Sequence, residues 1–101
     1  MSDNWVLRRN QRVINIKPNT TQGRDDARIV MDSLIATDLT NYTNEYANDL
    51  DVSILQKNTG LDCKALELTR TRNYVSNGID MTSTKKSLLV CYLVEEFTNE
   101  T

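Results

Sequence analysis

The sequence predicts a small α+β domain with an N-terminal strand, three helices and a C-terminal β-hairpin. Three observations carry that expectation. Apolar residues recur at helical spacing between Arg24 and Leu39. Two short segments, each opened by an aspartate, meet at Gly60. The chain from Ile79 to Val94 is rich in β-branched and aromatic residues and is broken by a polar stretch. At 101 residues the chain fits one domain, because a chain of this size buries about 60–70% of its unfolded surface without disulfides or metals. The hydrophobic share of 39% lies below the usual globular range. That predicts a thin core, which a homodimer would extend.

Taken in order, Trp5-Val6-Leu7 and Val13 to Ile16 flank the basic run Arg8-Arg9-Asn10-Gln11-Arg12, so residues 1–23 read as a basic arm holding a strand or strand pair. From Arg24, the residues Ala27, Val30, Met31, Leu34 and Ile35 share one helical face, with Asp25 and Asp26 in the first turn, where the helix dipole favours them. Thr40 to Asp49 has little apolar content and reads as loop or a frayed turn. Asp51 can cap a helix over Val52–Asn58, and Gly60 can end it in the left-handed conformation. Asp62 can then cap a helix over Cys63–Ser76, whose apolar stripe would be Leu61, Ala65, Leu68 and Val75, with Arg72 at its edge. Leu66 does not fit that stripe. Strand, turn and strand follow over Ile79–Met81, Thr82–Lys86 and Ser87–Val94, with a helix over Ser83–Phe97 as the alternative. Glu95, Glu96 and Glu100 make an acidic end, with residues 98–101 as a tail.

Helix, helix, helix and hairpin across residues 24–97, with a turn glycine at Gly60 and an apolar Leu61 after it, resemble the winged helix-turn-helix family. The resemblance implies a recognition helix over Cys63–Ser76, presenting Lys64, Glu67, Arg70 and Thr71 to base edges or phosphates. It also implies that Lys85 and Lys86 touch the DNA backbone from the tip of a wing. Gln56, Thr59 and Thr69 depart from the family's pattern. The chemistry suits the part: arginine pairs bidentately with guanine or phosphate, and lysine is a mobile point charge. Arg8, Arg9 and Arg12 can form an arm entering a minor groove, or an ordinary charged strand.

Charge and composition narrow the function. The net charge of −2 argues against non-specific coating of nucleic acid, although residues 1–17 and 52–86 each carry +3. The chain has no histidine, which removes the commonest general base and the commonest metal ligand together. Cys63 and Cys91 stand 28 positions apart without further soft ligands, so buried or partly buried free thiols are expected rather than zinc. Asp49, Asp51 and Ser53 begin like a calcium loop, but Ile54 and Gly60 stand where glycine and glutamate are required. The opening residues and the lack of a long apolar run predict no signal peptide, no membrane span and a cytoplasmic location. The resulting expectation is a non-enzymatic, cofactor-free transcriptional regulator that binds double-stranded DNA as a homodimer. The alternative is a small adaptor or inhibitor, of the kind short viral chains supply, that binds a partner protein.

Overall fold

Trp5-Val6-Leu7 and Val13 to Ile16 pair with each other, forming β1 (Asp3–Arg9) and β2 (Arg12–Pro18) in a computed structural model that describes residues 3–98. Asn10 opens the two-residue turn between them at φ 60°, a left-handed conformation that asparagine tolerates better than most residues. It also joins the turn to the rest of the sheet: its N–H donates to the Cys91 carbonyl at 2.7 Å and its Oδ1 accepts from the Cys91 N–H at 3.2 Å.

Pro18 ends β2, and α1 (Thr21–Glu45) begins three residues later. Thr20 caps it, its Oγ1 accepting from the Gly23 N–H at 2.9 Å. The helix therefore starts before Arg24, and Asp25 and Asp26 fall in its second turn rather than its first. Gly23 makes the entry possible, since a Cβ there would lie 1.9 Å from the Pro18 carbonyl oxygen. At its other end α1 continues through the stretch predicted as loop, to Glu45.

Three strands complete the sheet: β3 (Val52–Asn58), β4 (Cys63–Ser76) and β5 (Ile79–Thr98). The order is β2-β1-β5-β4-β3 and every neighbouring pair is antiparallel. β2 and β3 are thus opposite edges, and α1 must cross the whole sheet to connect them. Its 25 residues span roughly 37 Å, against a sheet about 19 Å wide, so it lies diagonally and touches all five strands. Ala27, Met31 and Ile35, four residues apart on α1, pack on Leu7, Leu66, Val90, Tyr92 and Val94. Those strand residues recur at spacing two, as the helix-covered face of a sheet requires.

This is not a winged helix-turn-helix. One helix replaces the expected three, and the segments taken for helices two and three are β3 and β4. Val52 and Ile54 alternate with exposed Ser53 and Leu55, and Leu66 and Leu68 alternate with Ala65 and Glu67, which is strand periodicity. Gly60 lies in the loop between β3 and β4 without a left-handed φ, and Leu61 after it is 70% exposed. The C-terminal segment is neither a short hairpin turning at Thr82–Lys86 nor a helix over Ser83–Phe97, but one continuous strand paired with β4. Trp5 to Leu7 belongs to the core: Val6 and Leu7 are fully buried, and Trp5 lies under the Arg24 guanidinium at 4.7 Å. The predicted acidic residue Glu100 lies outside the described residues.

Candidate functional site

β3 accompanies β4 only as far as Arg70, and β1 accompanies β5 only from Tyr92 onward. Beyond those points, and a last hydrogen bond from the Thr71 N–H to the Asp51 carbonyl at 2.9 Å, Thr71–Ser76 and Ile79–Thr84 pair only with each other among the described residues, leaving the body as a two-stranded arm. Six residues of strand extend the arm about 20 Å. The molecule measures 66 × 23 × 21 Å with a radius of gyration of 18.2 Å, well above the roughly 13 Å of a compact chain this long.

Asn77-Gly78 closes the arm. Their φ angles of 52° and 76° make a type I′ turn, whose twist matches that of the flanking strands. Because Leu68 faces the helix, strand alternation carries Arg70, Arg72 and Tyr74 along the same face, opposite Lys85, Ser83 and Met81. The other face carries Thr71, Asn73 and Val75 opposite Thr84, Thr82 and Asp80, with a hydrogen bond from Thr82 Oγ1 to Asn73 Oδ1 at 3.1 Å. Tyr74, Val75, Ile79 and Met81 are all exposed, and no second layer among the described residues covers either face. Asn73, Tyr74 and Val75 with Asp80, Met81 and Thr82 line a shallow hollow near the tip.

The body is held together by charge as well as by packing. Asp62, in the loop before β4, accepts from Arg28 Nε at 2.6 Å and from the Arg24 guanidinium, tying that loop to the start of α1. Burial works to raise the Asp62 pKa, but the hydrogen bonds from Arg28 and Arg24 outweigh it and hold the carboxyl below its usual range. Asp38, buried on α1, accepts from Arg9 Nη2 at 2.9 Å and from the Tyr92 hydroxyl. Burial, reinforced by the hydrogen bond to Asp38, pushes the Tyr92 phenol well above its ordinary value. Each partner satisfies the other's polar atoms, so both clusters fix the helix on the sheet.

The residues expected to meet DNA are spread over four strands, and the four assigned to a recognition helix, Lys64, Glu67, Arg70 and Thr71, lie on β4. Lys64 on β4 is paired with Asp32 at 2.8 Å, Arg9 with Asp38 at 2.9 Å, and Arg8 with Glu95, so these three brace the body. Glu67 lies 3.8 Å from Lys57, and Arg70 lies 3.6 Å from Asp51 at the root of the arm. Arg12 is beside the β1–β2 turn, in a hollow with Arg9, Ile14 and Tyr42. Arg70, Thr71, Lys85 and Lys86 are the members of that set on the arm or at its base, and the two lysines have no ion-pair partner among the described residues. Tyr74, Ile79 and Met81 were missed by the sequence reading. The signal was present: Asn77-Gly78 between runs of β-forming residues is the strongest short-range mark of a hairpin.

Among the described residues no group of three or more acidic, cysteine or histidine side chains is placed to hold a metal ion, and no helix is long and apolar enough to cross a membrane. Cys63 and Cys91 are free thiols, but Cys63 is exposed on β4 rather than buried, while Cys91 is half-buried. Comparison with protein-family models, with curated proteins and with solved structures found no match to this chain.

Proposed function

We propose that this protein is a small non-enzymatic adaptor that uses its hairpin arm to bind a partner protein. The observation that carries the reading is the arm itself. Tyr74, Val75, Ile79 and Met81 extend beyond the helix-covered body, 41–67% exposed, on a ribbon that nothing else among the described residues supports. An isolated two-stranded hairpin is marginal in water at best. Such a ribbon gains order by docking, and its aromatic and methionine side chains are of the types enriched in protein interfaces. The free thiols suit a reducing compartment, which agrees with action in the cytoplasm.

The recognition helix that carried the DNA expectation is absent from the fold, so DNA contact becomes an outcome to be separated from the proposal by experiment. A photo-crosslinking amino acid placed at Met81 in the full chain in its native cells should form adducts with a polypeptide, and the same group at exposed Ile29 on α1 serves as the control. Adducts to nucleic acid alone, or no more adduct at Met81 than at Ile29, would overturn the reading.

A further inference from the structure

We infer that the outer edge of the arm is a self-recognition surface: β5 of one chain pairs antiparallel with β5 of a second copy about a two-fold axis through Ser83. This rests on the reading of the arm as a binding element and names its partner. The edge is open and bounded. From Ile79 to Ser87 β5 has β4 on one side and, among the described residues, no strand on the other. Its inner limit is a bulge, where the register with β4 shifts between Leu66 and Glu67, and then Cys91, which the Asn10 turn already occupies. The straight free edge is therefore Ile79–Ser87, and its midpoint is Ser83.

Strand geometry fixes which groups face outward. Residues flanking a two-residue turn exchange both ladder hydrogen bonds, so Ile79, Met81, Ser83 and Lys85 bond inward to β4. Asp80, Thr82, Thr84 and Lys86 then direct their N–H and C=O groups away from the sheet. A two-fold axis at Ser83 sets Asp80 opposite Lys86 of the second copy and Thr82 opposite Thr84. Both are hydrogen-bonded pairs, so the backbone phase and the symmetry agree. The side chains agree as well. Read against itself in the opposite direction, aspartate–threonine–threonine–lysine meets lysine–threonine–threonine–aspartate, giving two opposite-charge pairs and two threonine pairs, each favourable across strands.

Lysines on an open edge ordinarily repel a second strand. Here Asp80 answers Lys86, and neither has an ion-pair partner among the described residues of its own chain. In this register the second copy's Asn77-Gly78 turn reaches Leu88, which is 64% exposed, and stops short of the Asn10 turn at Cys91. The notch between arm and body thus has the length of one arm. The contact is isologous and closes at two chains. Its area belongs to the small, reversible class of interface.

Charge reversal tests the pairing, read as mass by sedimentation equilibrium from about 1 to 100 μM. The wild-type chain should dimerise. Asp80→Lys and Lys86→Asp should each set like charges against each other twice and weaken association by about tenfold or more. Mixed in equal amounts the two variants should associate again, and the double variant Asp80→Lys/Lys86→Asp should dimerise as the wild type does. Amide exchange should slow with concentration at Asp80, Thr82, Thr84 and Lys86. A monomeric wild type at 100 μM, or a dimer indifferent to both reversals, would overturn the inference. Polypeptide adducts at Met81 from a chain that is monomeric when pure would sink the second copy as partner while the adaptor reading stands. Loss of the adducts as well would sink both.

Discussion

The two halves of the β4–β5 hairpin share one hydrogen-bonding ladder but very different surroundings. Near the body, Leu66 and Val90 are buried beneath Ala27, Met31 and Ile35 of α1. Toward the tip, Val75 and Ile79 stand in solvent on strands paired with equal regularity. Pairing gives both halves their shape, while only the covered half removes apolar surface from water, and that burial dominates folding energy. The body is therefore the folding unit. The arm is a shape held by register and by its turn, free to exchange solvent for another surface.

That contrast is most sharply broken by one substitution in each half. Leu66→Ala should lower unfolding free energy in urea by about 2–5 kcal/mol, because it opens a cavity between helix and sheet. Val75→Ala on the arm should change it by less than about 0.5 kcal/mol. Equal costs would show that the arm folds as part of the core.

Gly23→Ala probes the point where the body closes. The added Cβ would meet the Pro18 carbonyl oxygen, so the helix entry must shift, and a loss of about 1–3 kcal/mol in the same melts is expected. Wild-type stability there would mean that the join between β2 and α1 has slack.

The response to pH should belong to the body alone. Asp62 titrates below its usual range when folded, so its contribution is fully present above about pH 4 and is lost as the pH falls through the folded value. Tyr92 is displaced upward, so its contribution is intact below about pH 10 and is lost as the pH rises further. Urea melts across pH should show both flanks, Asp62→Asn flattening the acid one and Tyr92→Phe the alkaline one. Flanks unchanged in these variants would remove the two clusters from the account of stability.

The smallest effect on the melt should come from Gly78→Ala. The φ of 76° is strained for any residue with a Cβ, so amide exchange near the tip should quicken. The global midpoint should hardly move, because the arm adds little to the folding unit. A large drop would again make arm and body one cooperative unit.

Leu66 shows how the helix-turn-helix reading failed. A helical wheel over residues 61–76 gathers Leu61, Ala65, Leu68 and Val75 into a stripe and leaves Leu66 out, yet Leu66 is fully buried and Leu61 and Val75 are the exposed ones. At period two, Leu66 and Leu68 fall together at once, and the surrounding threonines, tyrosine and valine favour strand. Short apolar segments match both periods, and the aspartates that resembled helix caps serve elsewhere: Asp62 binds Arg24 and Arg28, and Asp51 lies beside Arg70.

The sequence by itself determined the β1–β2 pair, the helix with its Ala27, Met31 and Ile35 face, and, through Asn77-Gly78, the hairpin turn at the tip of the arm. Those features are local: they depend on residue spacing and on conformations that only certain residues adopt. The tertiary structure alone decided that β5 would separate β1 from β4, that α1 would cross from one edge of the sheet to the other, and that β4 and β5 would outrun their neighbours to leave an arm. Strand order and strand overlap arise from pairings between residues far apart in the chain, which no short window of sequence contains.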